Sequence, residues 1–438
     1  MLTREENEAL TRVGADQPMG RLLRRYWMPA ALLEEIAEPG GAPVRVKLLG
    51  ESLVAFRDPL GQAGLVREFC PHRGASLSYA RNEAGGLRCL YHGWKMAPDG
   101  RVVDTPAEPA ESRFKERLRH PAYPTVEAGG ILWAYLGPAA LQPPFPRYAW
   151  MALPPEQLVV VKMYQDCNYL QGVEGDLDTA HPNYLHQDFD QQDGSWEGAG
   201  WNSITELLHD GAPQIVCEDT PQMMRVVATR QSPREGMKYT RVTEWIAPFY
   251  CFTASGPCES RGFKGWLPID DNRCYTLYIH FDMHKPLDRE AVWRNWNHRT
   301  QGPDYRTPHT LANAHLQNRA DMVTRNYSGI LGAAIQDRAV QESMGPIYDR
   351  TQEHLGRSDK AVIYYRRTLL RLQRELEQGK PLPAQDPTLD FDLPTASLHV
   401  PQSTDWRDAV AQQARLDAAQ GVAPADVRAP VHAAQEKT

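Results

Sequence analysis

The strongest constraint in this sequence is a pair of short segments that each contain one cysteine and one histidine. The first is Cys70-Pro71-His72 and the second is Cys89-Leu90-Tyr91-His92, with sixteen residues between them. Thiolate and imidazole are side chains that bind soft and borderline transition metals well. The two segments must therefore fold against each other if they bind one metal centre.

The mixture of ligand types within each segment distinguishes between kinds of metal centre. Zinc accepts the same ligands, but zinc fingers usually group Cys with Cys and His with His. A Rieske [2Fe–2S] centre has two thiolates on one iron and two imidazoles on the other. The sequence therefore predicts a Rieske cluster bound by Cys70, His72, Cys89 and His92, and a structural zinc site is the alternative.

Composition argues against several classes of protein. The 438 residues include 48 Lys and Arg against 55 Asp and Glu, so the net charge of −7 does not favour a nucleic-acid surface. The sequence has no run of eighteen apolar residues and no apolar segment behind its charged N-terminus, which predicts no membrane span and no signal peptide. Its seven cysteines form no disulfide framework, so a reduced, cytoplasmic protein is expected.

The order of strand-like and helix-like segments predicts an α+β fold. A small all-β Rieske domain is expected over residues 42–142, after an N-terminal helical segment over 1–41. The proline-rich stretch at 143–146 predicts a stiff boundary. A larger catalytic domain over 143–395 is expected to have a central antiparallel sheet flanked by helices, and residues 396–438 form a C-terminal tail. The predicted elements include a strand over Trp201–His209 and helices over Leu311–Arg325 and Asp337–Leu355.

A second candidate metal site lies at the end of a predicted helix, Tyr164–His181. Glu174, Asp178 and His181 would share one face of this helix. The residue before a proline is disfavoured in helical conformation, so Pro182 should end the helix and allow His186 to return towards His181. Two histidines and one carboxylate bind non-haem iron with positions left open for oxygen and substrate. The other interpretation is an ordinary polar helix end, and the carboxylate candidates are Asp321, Asp337, Glu342 and Asp349.

Taken together, these motifs resemble a known family. The two Cys/His pairs and the run Glu174-x-x-x-Asp178-x-x-His181-x-x-x-x-His186 are similar to the oxygenase (alpha) subunit of Rieske non-haem iron aromatic ring-hydroxylating oxygenases. The similarity extends from residue 1 to about residue 380 and looks closest to the phthalate 4,5-dioxygenase group. It implies that His181 and His186 bind the mononuclear iron. The segment Gln336-Asp337-Arg338 implies that Asp337 is the third ligand.

The resemblance also implies roles beyond the metal ligands. Asp178 would bridge His181 and His92 of a neighbouring subunit, in a homotrimer or in stacked trimers that form a hexamer. Arg241 resembles a carboxylate-binding arginine, although a surface pair with Glu244 is the other interpretation. The implied function is dihydroxylation of an aromatic carboxylate, either phthalate or a substituted or chlorinated benzoate.

Electrons for this reaction must come from elsewhere. The sequence lacks a G-x-G-x-x-G segment after a strand, so NAD(P)H would act through a separate iron–sulfur flavin reductase, with O2 as co-substrate. Arg73, Arg88 and Lys95 are either solvated charges or a docking rim for that reductase. The alternatives are a Rieske monooxygenase that performs hydroxylation or O-demethylation, and a Rieske electron carrier without oxygenase chemistry.

Overall fold

The computed structural model describes residues 1–109, 111–187, 189, 210–253, 261–283, 285–296, 302, 304–386, 388–389 and 395–419. Short antiparallel strands make up the first part of the chain, and a large antiparallel sheet with helices makes up the second. The α+β fold expected from the sequence is confirmed. None of the helices in these ranges has the length and apolar composition needed to cross a membrane.

Two short helices, α1 (Arg4–Thr11) and α2 (Pro18–Leu23), begin the chain. Thr3 caps α1, because its hydroxyl accepts from the Glu6 amide at 3.1 Å while Glu6 accepts from the Thr3 amide at 2.9 Å. Both helices pack against the long helix Lys360–Glu377.

Three small antiparallel sheets follow the helices. Their strands are β1 (Trp27–Leu32), β2 (Val44–Leu48), β3 (Glu51–Arg57), β4 (Ala63–Arg67), β5 (Arg81–Glu83), β6 (Gly86–Arg88), β7 (Lys95–Met96), β8 (Val102–Asp104), β9 (Ala122–Tyr123), β10 (Thr125–Ala128) and β11 (Ile131–Tyr135). The sheet orders are β2-β3-β4-β9, β5-β6-β7-β8 and β1-β11-β10. The loops with the two Cys/His pairs follow β4 and β6.

The second part of the chain is built on an eight-stranded sheet. Its strands are β12 (Leu158–Gln165), β13 (Gln214–Thr220), β14 (Met223–Gln231), β15 (Met237–Ile246), β16 (Tyr250–Thr253), β17 (Arg261–Asp270), β18 (Arg273–Phe281) and β19 (Ala396–Pro401). The order is β12-β18-β17-β16-β15-β14-β13, and β19 pairs with β15.

Helices in this second part surround the sheet. They are α3 (Tyr169–Leu177), α4 (Pro182–Leu185), α5 (Arg289–Trp296), α6 (Asp321–Thr324), α7 (Ala333–Ser343), α8 (Lys360–Glu377) and α9 (Trp406–Ala419). Helix α7 packs its Ala333 and Ala334 on Tyr278 of β18. Helix α3 lies so close to the sheet that a Cβ on Gly172 would be 2.0 Å from a ring carbon of Trp266. The same face of the sheet therefore carries both helices, α3 and α7.

The helix expected over Tyr164–His181 is only partly present. Its first residues belong to β12, and α3 begins after Asn168, whose side chain accepts from the Leu170 amide at 3.0 Å. The helix ends at Leu177 rather than His181, because the Asp178 side chain accepts from the Ala180 amide at 2.8 Å and forms an Asx turn.

Two further helix predictions need correction. The prediction of a helix over Leu311–Arg325 is wrong, since a 3₁₀ segment (Leu311–Leu316) and the single helical turn α6 occupy this stretch. There His315 has a φ of +53°, and its Nε2 lies 2.9 Å from the Glu342 carboxylate, which accepts the hydrogen bond, so a tertiary contact outweighs helical propensity. The helix expected over Asp337–Leu355 is instead α7, which ends at Ser343 just before Gly345 and Pro346.

The remaining predictions concern one strand and the domain boundaries. The strand expected over Trp201–His209 lies outside the described residues. Strand β1 lies within the predicted N-terminal segment and β19 begins the predicted tail. The domain boundaries themselves remain predictions.

Candidate metal centres and active site

The two cluster loops share one backbone design. The Gly74 amide donates to the Cys70 carbonyl at 2.9 Å, and the Gly93 amide donates to the Cys89 carbonyl at 3.1 Å. Both glycines have a φ of +73°, a conformation that disfavours residues with a side chain. A glycine four residues after each cysteine therefore turns each loop back on itself.

The cysteine and histidine side chains of these two loops differ in burial. Cys70 and Cys89 are buried, His72 is exposed and His92 is half-buried. The two imidazole ring centres are 4.5 Å apart. A buried thiol pair beneath two accessible imidazoles fits an asymmetric [2Fe–2S] centre with its Cys-bound iron inside. Burial raises the pKa of Cys70 to about 11, so metal binding must displace a thiol proton here.

Aromatic side chains contact both imidazoles, since Tyr91 packs on His92 with ring centres 3.9 Å apart. Trp94 stacks on His72 with ring centres 4.6 Å apart and planes within 6°. We term the exposed large apolar side chains of this part of the chain the cluster patch; they are Phe69, Tyr79, Leu90, Tyr91 and Phe114.

The cationic rim expected around the cluster is largely neutralised. Arg88 pairs with Glu83 at 2.9 Å and with Asp104 at 2.8 Å, and Lys95 lies 3.6 Å from Glu83. Arg73 lies over the Tyr91 ring at 5.2 Å. These acidic partners weaken the interpretation of Arg88 and Lys95 as a docking rim.

The second site brings together His181, His186 and Asp337. One ligand atom from each lies within 4.8 Å of the others, and no other such triad of His, Cys, Asp or Glu occurs within the described ranges. Nε2 of His186 is 3.1 Å from Asp337 Oδ1, and Nε2 of His181 is 3.5 Å from the same oxygen. The short helix α4, with Pro182 at its first position, separates the two histidines.

Each histidine of the triad is oriented through its other ring nitrogen. Nδ1 of His181 lies 2.7 Å from the Asp178 carbonyl oxygen, and Nδ1 of His186 lies 2.6 Å from the Gln336 side-chain oxygen. Both Nε2 atoms are thereby directed towards Asp337. This is the usual way in which proteins orient metal-binding histidines. Gln336 was missed from the sequence, although it directly precedes Asp337.

Electrostatics within the triad favour a cation. Burial acts to raise the pKa of Asp337, but His186 and His181 outweigh burial and hold that pKa well below its usual range. Burial acts to lower the pKa of His181, but Asp337 and Asp178 outweigh it and raise that pKa. A divalent metal ion can therefore replace protons that the triad otherwise attracts.

The helix face predicted for Glu174, Asp178 and His181 does not form one site. Glu174 instead makes buried ion pairs with Arg350 at 2.8 Å and with Arg366 at 2.7 Å. Asp178 remains beside His181, with its Oδ2 3.9 Å from the His181 Nδ1 and its side chain partly exposed.

The other three carboxylate candidates are not part of the triad. Glu342 pairs with His315 at 2.9 Å and with Arg338 at 2.7 Å. Asp349 accepts from the Thr351 amide at 3.1 Å in an exposed turn. Asp321 lies in the first turn of α6, where its backbone carbonyl accepts from the amides of Arg325 and Asn326.

Arg241 lies on β15, on the sheet face that carries the triad. Its direct partner on β14 is Ala228, and Arg230 lies two residues further along β14 on the same face. The Arg230 guanidinium donates to the carbonyl of Thr179, the residue after Asp178. Glu244 pairs with Arg225 rather than with Arg241, so the surface-pair interpretation is wrong. Nε of Arg241 has no hydrogen-bond partner in the described part of the chain.

Comparison with known proteins agrees with this arrangement. Residues 26–124 match the Rieske [2Fe-2S] domain family, and residues 134–428 match the family described as LigXa C-terminal domain like. The chain is 37% identical over 417 residues to the phthalate 4,5-dioxygenase oxygenase subunit of Pseudomonas putida, covering 93% of this chain and 94% of that one.

Two further comparisons extend the similarity. The chain is 33% identical over 443 residues to the 3-chlorobenzoate-3,4-dioxygenase oxygenase subunit of Comamonas testosteroni, covering 94% of this chain and 99% of that one. The crystal structure of dicamba monooxygenase bound to dicamba has the same fold, with a TM-score of 0.56 and 19% identity over 82% of this chain and 99% of the other. The chain belongs to the Rieske non-haem iron oxygenases, enzymes that use a Rieske [2Fe–2S] cluster, a mononuclear iron, O2 and NAD(P)H-derived electrons.

Proposed function

We propose that this chain is the oxygenase component of an aromatic ring-hydroxylating dioxygenase that acts on an aromatic carboxylate. The observation that carries this proposal is the position of the triad, which lies over the same sheet face as Arg241. A guanidinium binds a carboxylate with two parallel hydrogen bonds, so Arg241 is the proposed anchor for the acid. The two curated relatives described above are named for phthalate and 3-chlorobenzoate.

Each site residue has a proposed role. Cys70, Cys89, His72 and His92 hold the cluster. The triad of His181, His186 and Asp337 would hold the iron, which would supply the oxygen chemistry, and a separate reductase would supply electrons from NAD(P)H. Gln336 and the Asp178 carbonyl orient the two iron-binding imidazoles.

We propose that subunits assemble head to tail, as a trimer or as stacked trimers. A second set of exposed apolar side chains, the iron-loop patch, belongs to the segments that contain or adjoin the triad residues and comprises Tyr184, Tyr327, Leu331, Val340 and Met344. Tyr184 and Tyr327 pack edge to face with ring centres 5.7 Å apart. Two different patches on one chain suit a heterologous interface that closes as a ring. Asp178 would then accept a hydrogen bond from His92 of the neighbouring subunit.

The reaction is tested by supplying benzoate and phthalate analogues, a surrogate reductase and labelled O2 to the holoenzyme. The proposal expects both atoms of one O2 molecule in a dihydrodiol and about three irons per subunit. Incorporation of a single oxygen atom would instead establish a monooxygenase. An absence of product together with about two irons per subunit would establish an electron carrier.

The shared active site is tested by complementation. Asp178→Asn and His92→Ala variants are each expected to have little turnover alone. When the two are co-assembled, an interface with His92 from the first variant and Asp178 from the second contains both native residues, so activity should return. If His92 and Asp178 acted within one chain, mixing would restore nothing.

A further inference from the structure

Arg230 on β14 is a buried arginine whose hydrogen bonds reach the loop between Asp178 and His181. The residue is only 1% exposed. Its Nη2 donates to the Thr179 carbonyl and lies 3.4 Å from the Thr179 hydroxyl, and its Nε donates to the Asp210 carbonyl at 3.1 Å. None of these acceptors, which all belong to the described part of the chain, carries a charge. A buried guanidinium held only by neutral acceptors is costly, which indicates a use for its charge.

One nitrogen of this guanidinium is available to a ligand. Nη1 of Arg230 is buried and has no hydrogen-bond partner among the described residues, and the same holds for Nε of Arg241 on β15. Both atoms are donors and cannot accept. A buried donor without a partner costs free energy, which an acceptor on a ligand would recover. Both atoms therefore suit an acceptor group of a bound molecule.

The register of the sheet places the two arginines side by side. Arg241 pairs directly with Ala228, and Arg230 lies two residues further along β14, so both side chains belong to one face. Such diagonal neighbours are roughly 7–8 Å apart, within reach of long side chains. Burial, together with the charge of Arg241, lowers the pKa of Arg230 to about 10. One carboxylate can therefore contact both guanidiniums, and it would offset the repulsion between them.

The Thr179 carbonyl connects Arg230 to a histidine of the triad. Thr179 lies in the turn in which Asp178 Oδ1 accepts from the amides of Ala180 at 2.8 Å and His181 at 3.4 Å. The backbone carbonyl of Asp178, one residue before Thr179, lies 2.7 Å from Nδ1 of His181. Because a guanidinium is a rigid plane, an anion that fixes Nη1 also fixes the direction of Nη2. An anion on Arg230 therefore acts on the loop that orients the His181 ring.

We propose that the substrate carboxylate bound by Arg241 also accepts from Nη1 of Arg230, and that Arg230 thereby couples substrate binding to the geometry of His181. Arg230 is thus a positioning residue for the triad. This inference rests on the proposed function and extends it from the anchor of the acid to the effect of the acid on the iron site. Thermodynamic linkage then requires the acid and the metal to strengthen each other's binding by the same factor.

The test measures this coupling factor through two binding equilibria. Calorimetry gives the affinity of the anaerobic holoenzyme for benzoate or phthalate, before and after a chelator removes the mononuclear iron. Chelator competition gives the Fe(II) affinity with and without the acid. In the native enzyme each ligand should strengthen binding of the other by about tenfold, which is within the range usual for coupled sites. Benzamide has the shape of benzoate without its charge and should produce no coupling.

Three variants separate this coupling from a simple loss of affinity. Arg230→Met should reduce the coupling factor to about one, because no group then joins the acid to the Thr179 carbonyl. Arg241→Met should weaken acid binding by about tenfold or more, as for a lost charged hydrogen bond, but should leave the Fe(II) affinity measured without acid unchanged. Arg230→Lys keeps the charge without the planar fork, so it should bind the acid better than Arg230→Met and still lack the coupling.

Arg371→Met is the control for the loss of an arginine side chain. The Arg371 guanidinium lies 3.5 Å from Asp219 in a surface pair, and its side chain is 40% exposed. This variant should retain the native affinities and the native coupling factor. Arg230→Lys provides the test if Arg230→Met does not fold, since the coupling is expected to be lost in both.

Several outcomes would overturn the inference. It fails if Arg230→Met or Arg230→Lys keeps the native coupling factor, or if the acid and Fe(II) bind independently in the native enzyme. It also fails if benzamide produces the same coupling as benzoate. In each of these cases the proposed function stands, provided that aromatic acids are still bound and converted. If the native holoenzyme binds and converts no aromatic acid, the proposed function itself is wrong and the inference fails with it.

Discussion

The side-chain oxygen of Gln336 lies 2.6 Å from Nδ1 of His186, while the next residue, Asp337, lies 3.1 Å from Nε2 of the same imidazole. Helix α7 thus contacts both nitrogens of one histidine. The Gln336 amide nitrogen is in turn anchored, donating to the Ile330 carbonyl at 2.8 Å. One helical turn therefore fixes the ring orientation and supplies the carboxylate.

Gln336→Leu should weaken iron binding by about 10- to 100-fold, because His186 loses the group that orients it. Chelator competition followed by iron analysis measures this affinity, and the Rieske absorption should remain unchanged. Gln341→Leu is the matched control. Gln341 is a buried residue on the same helix, and its side-chain oxygen accepts from Gln165 rather than from a proposed iron ligand. Equal iron affinity in both variants would contradict the orienting role.

Asp178→Asn should retain both metals and a reducible cluster but lower turnover by about 100-fold. Asparagine can still accept from the Ala180 amide, so the turn persists, but the carboxylate that we propose to accept from His92 of a neighbouring subunit is lost. Single-turnover kinetics with a pre-reduced cluster measure the transfer step. Asp99→Asn alters a similar turn, in which Asp99 accepts from the Arg101 amide at 3.0 Å, and should leave turnover intact.

Glu174→Gln should destabilise the fold by about 3–5 kcal/mol, because it leaves the buried Arg350 and Arg366 without one of their carboxylates. Urea denaturation measures this change in the free energy of unfolding. Iron affinity of the folded variant should equal that of the native protein. A loss of iron with unchanged stability would instead make Glu174 a ligand.

Glu244 should make stability depend on pH. Burial, opposed by Arg225, raises the pKa of Glu244 to about 7, above the value of about 4.3 expected in the unfolded chain. The folded state therefore retains this proton to higher pH, so its stabilising effect is present below about pH 4.3 and is lost as pH rises to about 7. The loss is on the order of 3 kcal/mol. Urea denaturation across this range should show a shallower decline for Glu244→Gln, and parallel curves would contradict the assignment.

Local sequence determined the predicted ligand set of the cluster and the break between the two histidines proposed to bind iron. Cys70 and Cys89 are each followed four residues later by a glycine that turns the loop, and Pro182 separates His181 from His186. These features depend on residues close in the chain, whose conformational preferences act over a few positions. The resemblance to a family then extended the interpretation to Asp337.

Only the tertiary structure decided what distant residues do together. Glu174 fits the helical spacing of a ligand, yet Arg350 and Arg366, nearly two hundred residues away, draw it into a structural ion pair. Gln336 acquires its proposed role because α7 packs on the sheet and brings it to His186. Spacing along a chain reports which residues share a face, but partners from other elements decide whether a charge binds metal, substrate or another side chain.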